Sequence, residues 1–290
     1  MKKDLISPVE VIGQNWITIT DKEFVALSSL VYDKIGIKLT EQKKTLLMGR
    51  LQKLLRAYKF KNFQEYYDYL IHEKSGSAIS ELANYISTNH TFFYRENDHF
   101  EFFYKKVLPE IEQKLQETKA KDIRIWSAGC SSGEEPYTLI MLMLEYFGNS
   151  YYNLDAGILA TDISEKALKF ANDGIYPDER VRPLPDNLKK KYFTKNPDGS
   201  WKIIDKVKKE VTFRKFNLIS ERYPFKKQFD IIFCRNVMIY FDDATREKLV
   251  SNFYNFTVPM GYLFIGHSET LNRTKSPFKF IMPALYQKQV

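Results

Sequence analysis

The segment WSAGCSSGEEPY, residues 126–137, combines two glycines with two adjacent carboxylates. A strand-like stretch precedes it and an apolar helical run follows it, so Gly129 and Gly133 predict a tight turn between a strand and a helix. Such a turn usually binds phosphate through backbone N–H groups at the start of the helix. This turn carries Glu134 and Glu135 and has no lysine or arginine, which favours a ligand with positive charge over a phosphate.

A further carboxylate, Asp162, ends the next predicted strand in the segment GILATDIS. Ligands of a doubly wound sheet bind beyond the carboxyl ends of the strands, where such an acid can accept hydrogen bonds from both ribose hydroxyls. The glycine patterns of dinucleotide loops and of P-loops are both absent. The acids therefore predict S-adenosylmethionine, which has a ribose, a cationic sulfonium and an ammonium. Alternatively, Glu134 and Glu135 only complement the helix dipole in a first turn.

The elements that precede this loop are predicted to be helices with short connections, as in an antiparallel bundle. Thr20 and Glu23 form a capping-box pattern before an apolar run that ends at Gly36. Thr40 and Asn62 are predicted to cap two further helices. The first predicted helix ends at residue 35. The other four span about 40–58, 63–72, 77–87 and 97–116, and the last has a kink at Pro109.

From residue 122 onward, strands and helices alternate, which predicts a parallel sheet with helices on both faces. The predicted strands are 123–127, 157–161, 211–217, 229–234, 261–266 and 284–288. Between 176 and 210 the alternation breaks, and FTKNPDGSWKII predicts a β-hairpin around Asp198 and Gly199. We interpret this stretch as a small β-insertion.

Composition restricts the class of protein. The chain has 290 residues, 44% of them apolar, and a net charge of +8. The longest apolar run, 137–147, is too short to cross a bilayer, and the basic start lacks the hydrophobic region of a signal peptide. Cys130 and Cys234 are far apart, which suits a reduced cytoplasmic protein and argues against a zinc site. The basic charge indicates either an acidic partner or a solvated lysine-rich surface.

Several segments together resemble a known family. TNHTFFYRENDHF (88–100), WSAGCSSGEEPY, ATDIS, FNL, FDIIFCRNVMIYFD (229–242) and GHSETL are similar to the chemotaxis receptor glutamate methyltransferases, the CheR family. The resemblance runs from about Glu23 to the C-terminus. It implies an α/β fold in which a small all-helical N-terminal domain (1–96) and a linking helix (97–117) precede a doubly wound S-adenosylmethionine-dependent methyltransferase domain (118–290) with a β-hairpin subdomain inserted at about 177–210.

The resemblance also implies an activity and a set of site residues. The activity is methyl transfer from S-adenosylmethionine to glutamate carboxylates on the cytoplasmic helices of chemotaxis receptors, with S-adenosylhomocysteine as the product. Of the two loop acids, Glu135 matches the family's ligand. Carried over by position, the cofactor contacts fall on Asn89, Thr91, Arg95, Glu135, Asp162, Asn217, Leu218, Arg235 and Asn236.

A glutamate acceptor simplifies the chemistry, because its pKa of about 4.3 leaves it ionised near neutral pH. No general base is needed, and most of the catalysis is expected to be positioning. Tyr240 is the expected neutral donor that aims the carboxylate, unless it is only a packed aromatic at the end of the sheet. Arg95 is expected to hold the methionine carboxylate, the incoming glutamate, or both in turn. We expect His90, His99 and His267 to be surface or structural residues, and no metal.

A basic helix face is the predicted contact with the receptor. Lys43, Arg50, Lys53 and Arg56 gather on one side of the helix at 41–59, opposite Leu47, Leu51, Leu54 and Tyr58. The alternative is a solvated face. In the family, some members grip a receptor tail peptide with the β-subdomain. The hairpin here is shorter and has one glycine, so we expect no tail peptide to bind.

Two other functions compete with this interpretation. A nucleic-acid methyltransferase would suit the positive charge, but amine methylation usually uses an Asn/Asp-Pro-Pro-aromatic motif after the fourth strand, where this chain has RNVM. A non-catalytic module that only binds the cofactor or a partner is disfavoured because Arg95 and Tyr240 are intact. We therefore expect a cytoplasmic monomer that meets the membrane only through receptors and binds no nucleic acid.

Overall fold

A computed structural model describes residues 16–87 and 90–290 of the chain. The chain divides after Ile86 into two compact units. Of the features considered above, Asn89 and the basic first ten residues lie outside the described residues.

The described part of the first unit contains four α-helices, which are α1 (Asp21–Ile35), α2 (Lys44–Ala57), α3 (Phe63–His72) and α4 (Ser77–Ile86). The side chain of Thr20 accepts the N–H of Glu23, and the Glu23 carboxylate accepts the N–H of Thr20, so the predicted capping box is confirmed. Gly36 ends α1 in the left-handed region, with φ +79°. Asn62 caps α3 through the N–H of Glu65. These helix ends follow from local sequence alone.

Two expectations about α2 need correction. Thr40 makes no side-chain capping hydrogen bond, because a 3₁₀ turn at Glu41–Lys43 separates it from α2. Tyr58, predicted on the apolar face, is 47% exposed and donates its hydroxyl to Glu81. The rest of the predicted apolar face is confirmed, since Leu47, Leu51 and Leu54 are buried. In the unit, α1 packs against α3, and α2 packs against α4.

The second unit opens with a long interrupted helix. Its parts are α5 (Asn97–Phe102), a π turn at Phe103–Val107, and α6 (Leu108–Thr118). Pro109 lies in the first turn of α6 and lacks the N–H that would donate to the carbonyl of residue 105 in an α-helix. The irregularity predicted at Pro109 therefore appears one turn earlier, as a widened π turn.

The remaining helices of this unit are α7 (Glu134–Phe147), α8 (Glu165–Asp173), α9 (Asp178–Val181), α10 (Asp186–Tyr192), α11 (Asp205–Lys208) and α12 (Asp243–Asn255). The strands are β1 (Asp122–Ala128), β2 (Asp155–Asp162), β3 (Ile175–Tyr176), β4 (Phe193–Lys195), β5 (Trp201–Ile203), β6 (Val211–Lys215), β7 (Phe229–Cys234), β8 (Thr257–Ile265), β9 (Lys279–Met282) and β10 (Leu285–Gln287).

Seven of these strands form one sheet in the order β6-β2-β1-β7-β8-β10-β9. The first five pair in parallel, as the alternation of strands and helices predicts. The other edge departs from the predicted parallel pattern, since β10 runs antiparallel to β8 and β9. Only two residues join β9 to β10, too few for the crossover that a parallel pair requires.

Side chains from both faces of the sheet are buried, so helices must cover both faces. On one face, Ile123 and Ile125 of β1 share a core with Ile140 of α7 and Val107 of the π turn. On the other face, Trp126 lies in a separate core with residues of α12. Alternation along β1 thus places successive side chains in different cores. Because the first five strands are parallel, their carboxyl ends lie at the same edge of the sheet.

The inserted subdomain is a three-stranded antiparallel sheet in the order β3-β5-β4. The predicted hairpin is confirmed, since β4 and β5 are joined by a turn in which Gly199 has φ +85°. The sequence pattern missed β3, which has only two residues, and β9 at the edge of the large sheet. Within the described ranges, the helices are too short or too polar to cross a bilayer.

Candidate active site

The carboxyl ends of β1 and β2 lie side by side and bring the glycine loop next to Asp162. Ala128 pairs with Thr161 in register, and the carbonyl of Thr161 accepts the N–H groups of Gly129 and Cys130 at 2.7 and 2.9 Å. Gly129 has φ +83°, and a Cβ there would lie 2.4 Å from Cγ2 of Val237. The predicted tight turn is present. Residue 129 must be a glycine for two reasons, its positive φ and the close approach of Val237 in the turn after β7.

Asp162 is fixed by backbone groups on both sides. Its Oδ2 accepts the N–H of Ser131 in the glycine loop at 2.8 Å, and its Oδ1 accepts the N–H of Ser164 at 2.8 Å. The residue is only 8% exposed. Burial raises the pKa of this carboxyl, while the backbone N–H donors oppose that rise. A buried acid held in one orientation is the arrangement that a pair of ribose hydroxyls would require.

Glu135, the second loop acid, belongs to a cluster of charges at the same edge. Its Oε1 accepts the hydroxyl of Ser127 at 2.7 Å, and its Oε2 pairs with Nη1 of Arg235 at 3.1 Å. Burial raises the pKa of Glu135, and the Arg235 guanidinium opposes that rise. The carboxylate is therefore already paired with a cation of this chain at the end of β7.

Glu134, its neighbour in sequence, has a different role. It is fully buried, its Oε1 pairs with Nη1 of Arg180 at 2.9 Å, and Ser132 donates to both of its oxygens. Arg180 belongs to α9 in the insertion, so Glu134 ties the loop to the insertion. Successive residues of a helix point about 100° apart, which is why adjacent acids reach different partners. Interaction with the helix dipole does not by itself describe either acid, because Glu134 pairs with Arg180 and Glu135 pairs with Arg235.

Glu96 is a site residue that sequence reasoning missed. Its Oε2 accepts from Nη2 of Arg235 at 3.2 Å, and its Oε1 accepts from Nδ2 of Asn236 at 3.1 Å. Burial alone would raise the pKa of Glu96, but Arg235 and Asn236 outweigh burial and bring it below its usual value. Its position beside Arg95 in YREN was the available signal, since an acid next to a cationic site residue often balances charge.

Arg235 joins these parts together. Its side chain is 3% exposed, it pairs with Glu96 and Glu135, and its Nη2 also donates to the carbonyl of Arg95. The guanidinium lies 5.1 Å from the ring centre of Phe100. Two carboxylates therefore share one buried guanidinium, and with both ionised these three groups have a net charge of −1, which suits a cationic ligand.

Of the other predicted cofactor residues, Asn217 and Leu218 lie next to Asp162 along the chain that follows β6. Arg95 is half-buried, and its Nη1 donates to the carbonyl of His90 at 2.9 Å. Thr91 is also half-buried. Asn217 and Leu218 follow β6, where the N–H of residue 216 donates to the carbonyl of Asp162 at 3.0 Å. Leu218 is buried in the second core, so its side chain contributes packing.

Tyr240 ends the turn that follows β7. It closes a 3₁₀ turn at Met238–Tyr240 and is half-buried, and its N–H donates to the carbonyl of Val237 at 3.2 Å. Asn236 at the start of the turn has φ +59°, a left-handed conformation that is uncommon outside glycine. The carboxylate of Glu269 accepts N–H groups of this turn. Tyr240 thus follows β7 in the chain, and its role as a donor stays a prediction.

Among the described residues, Glu96, His99 and His267 each place one ligand atom within 4.8 Å of the others, as a metal ion would require. Both oxygens of Glu96 already accept hydrogen bonds from Arg235 or Asn236, so a dication would have to displace a buried guanidinium. Burial, together with Arg235, lowers the pKa of His99 to about 4, so its ring is neutral at neutral pH, the form in which histidine can ligate a metal. Only the guanidinium of Arg235 therefore argues against a metal. We assign no metal to this cluster.

Two family models match the chain. Residues 22–87 match the CheR methyltransferase all-alpha domain, and residues 89–286 match the CheR methyltransferase SAM-binding domain. The predicted cofactor is thereby confirmed as S-adenosylmethionine, and the predicted architecture of a helical domain followed by a methyltransferase domain is confirmed as well. The fixed Asp162 and the excess negative charge around Arg235 fit that cofactor.

Similar full-length relatives support the same assignment. The chain is 47% identical over 272 residues to the chemotaxis protein methyltransferase of Borreliella burgdorferi, covering 94% of this chain and 96% of the relative. It is 36% identical to chemotaxis protein methyltransferase 2 of Vibrio cholerae, covering 91% of each chain. It is 30% identical to the chemotaxis protein methyltransferase of Escherichia coli, covering 90% of this chain and 89% of the relative. The chain therefore belongs to the CheR family of S-adenosylmethionine-dependent chemotaxis methyltransferases.

Proposed function

We propose that this methyltransferase transfers a methyl group to glutamate side chains on the cytoplasmic helices of chemotaxis receptors and forms glutamyl methyl esters. The observation that carries the proposal is that Asp162, Glu135 and Glu96, the three acids described at the carboxyl ends of the strands, are already engaged. Asp162 accepts backbone N–H groups, and Glu135 and Glu96 share Arg235. None of them is placed as a general base, and an ionised carboxylate is the acceptor that needs none.

The cofactor residues remain those assigned by resemblance, with Asp162 for the ribose and Glu135 for the ammonium. Asn89, Thr91, Asn217, Leu218 and Asn236 complete the proposed set, together with the two arginines, Arg95 and Arg235. An ammonium that pairs with Glu135 must share or replace its contact with Arg235 at 3.1 Å. Glu96 keeps Arg235 neutralised when that happens, since it contacts the same guanidinium at 3.2 Å.

The bound cofactor supplies an electrophilic methyl group on a sulfonium. The chain's own residues then position the acceptor. In our proposal the hydroxyl of Tyr240 donates a hydrogen bond to the glutamate carboxylate and aims one oxygen in line. Arg95 holds the methionine carboxylate, the incoming glutamate, or both in turn. A neutral donor leaves the nucleophile more reactive than a tight ion pair would, and water exclusion favours the neutralisation of anion and sulfonium.

We further propose that the basic face of α2 meets acidic receptor helices. Lys53 and Arg56 are exposed. Lys43, predicted on this helix, lies in the 3₁₀ turn just before α2 and is half-buried. Arg50 is also half-buried, and its Nη1 donates to the carbonyl of Ile86 at 2.7 Å within the same unit. Arg50 therefore has a structural contact besides its proposed receptor contact, and we use the two exposed residues, Lys53 and Arg56, for the test.

The deciding experiment uses cofactor labelled in its methyl group. Purified enzyme is incubated with membranes that contain chemotaxis receptors, and the labelled band is identified. Label on a receptor glutamate supports the proposal. Label on nucleic acid, or none on receptors while the cofactor is bound, would contradict it. Filter binding to nucleic acid at rising salt is the companion measurement, and we expect no salt-resistant complex.

A further inference from the structure

Glu269 is a buried carboxylate that the proposed mechanism does not use. It lies four residues after β8 in the segment GHSE and is 8% exposed. Its Oε2 accepts the N–H of Asn236 at 2.9 Å and the N–H of Gly266 at 2.5 Å, and its Oε1 accepts the N–H of Ile239 at 3.2 Å. One side chain therefore joins the end of β8 to both ends of the turn at 236–239.

The turn contains a residue with positive φ. Asn236 has φ +59°, a left-handed conformation that asparagine adopts more readily than other residues with a side chain. Gly266 leaves the space in which the turn lies, since a Cβ there would be 2.8 Å from the N of Asn236 and 2.9 Å from Oε2 of Glu269. The glycine and the acid of GHSE therefore act on the same turn from two directions.

The two ends of the turn differ in how they are fixed. Arg235 at its start is fixed independently by Glu96, Glu135 and the carbonyl of Arg95. Tyr240 follows directly after Ile239, whose N–H donates to Glu269. Loss of the Glu269 contacts would therefore release the N–H of Ile239, next to Tyr240, while the side chain of Arg235 would keep its contacts with Glu96 and Glu135.

We infer that Glu269 is a positioning residue that fixes the turn after β7 and, through this turn, the hydroxyl of Tyr240. The inference rests on the proposed function, in which that hydroxyl aims the acceptor carboxylate. A displacement of about 1 Å in a positioning group can cost about 100-fold in rate. A residue that acts in this way should affect kcat through Tyr240.

The test is a double-mutant cycle of Glu269→Gln and Tyr240→Phe, measured as kcat for receptor methylation with labelled cofactor. Glutamine has the same shape but turns an N–H₂ group toward backbone N–H donors. We expect Glu269→Gln to lower kcat at least about 10-fold in the wild-type background and less than about 2-fold in the Tyr240→Phe background. The cofactor is kept saturating in these assays, because Asn236, a proposed cofactor residue, also donates its N–H to Glu269.

The matched control is Glu247→Gln, an exposed acid that pairs with Lys275 at 2.7 Å and should change nothing in either background. Gly266→Ala is a second variant, which displaces the turn while keeping the acid, and it should show the same dependence on Tyr240. It keeps the test decisive if Glu269→Gln melts below the assay temperature.

Two results would overturn the inference. One is an equal loss of kcat in both backgrounds, and the other is a lower melting temperature with unchanged kcat, which would mean a purely structural role. A fully active Tyr240→Phe enzyme would instead remove the proposed aiming role itself. The two failures are therefore distinguishable.

Discussion

At the scale of single residues, Glu134 and Glu135 are adjacent acids with different expected phenotypes. Glu135 pairs with Arg235 at the carboxyl ends of the strands, whereas Glu134 is fully buried against Arg180. We expect Glu135→Gln to weaken S-adenosylmethionine about 10-fold or more, because a charge-assisted hydrogen bond is lost. Glu134→Gln should change affinity less than about 3-fold and lower the free energy of unfolding by about 2–4 kcal/mol. Calorimetry and thermal melts measure both, and the reverse pattern would contradict the assignment.

Asp162→Ala tests the other acid of the cofactor site. Its carboxylate accepts N–H groups of Ser131 and Ser164, so the substitution should loosen the glycine loop as well as remove the proposed ribose contact. Asp162→Asn keeps one acceptor oxygen and serves as the comparison. We expect both variants to weaken cofactor binding, alanine more than asparagine. Unchanged affinity in both would remove Asp162 from the site.

A pH dependence follows from the same two acids. Burial raises the pKa of Glu135 and of Asp162, so both take up protons at a higher pH than exposed carboxyls do. Protonation removes the negative charge that attracts a cationic ligand. We therefore expect affinity for S-adenosylmethionine to fall as the pH is lowered from about 7.5, beginning above the usual carboxyl range near 4. Calorimetry across this range should show a flatter profile for Glu135→Gln, and an equal slope would contradict the explanation.

At the scale of elements, the basic face of α2 is the expected receptor contact. We expect Lys53→Glu with Arg56→Glu to raise KM for receptor membranes about 10-fold through like-charge repulsion, with cofactor affinity unchanged. Lys248→Glu with Lys279→Glu, two exposed lysines of the second unit, gives the same change in net charge and is the matched control. Rising salt should narrow the difference between wild type and the α2 variant. Equal KM values in all three enzymes would support a merely solvated face.

The inserted sheet bears on the prediction that no receptor tail peptide binds. A peptide that adds a strand needs a sheet edge with available backbone groups. The edge strands β3 and β4 have two and three residues, and Lys189 and Lys195 both lie 5.3 Å from the ring centre of Trp201. Titration of peptides that match the last five residues of a receptor should give no heat. Binding in the micromolar range would show that this short hairpin is sufficient.

At the scale of the whole molecule, the identity of the product is the most discriminating prediction. A glutamyl methyl ester is hydrolysed by alkali, whereas an N-methyl group is stable. Receptors labelled by this enzyme should therefore release volatile label as methanol after brief base treatment. A protein with a base-stable N-methyl group serves as the control. Base-stable label on the receptor would exclude ester chemistry.

The sequence by itself determined much of this protein. Local patterns predicted the capping box at Thr20, the glycine end of α1 and the hairpin at Gly199, because these features depend on residues a few positions apart. The periodicities of helix and strand predicted the order of most elements. The motifs also predicted S-adenosylmethionine, since the glycine loop and the acids are short segments whose residue types carry chemical meaning.

Only the tertiary structure decided which acids meet which cations. Arg235 contacts Glu96 and Glu135 across about 140 and 100 positions of sequence, and Glu134 turns away to Arg180. The hydrogen bonds of Glu269 to the turn after β7 could not be predicted from the sequence, and neither could the antiparallel direction of β10. These contacts are made where the ends of different strands converge, and no spacing along a single segment records which side chains meet there.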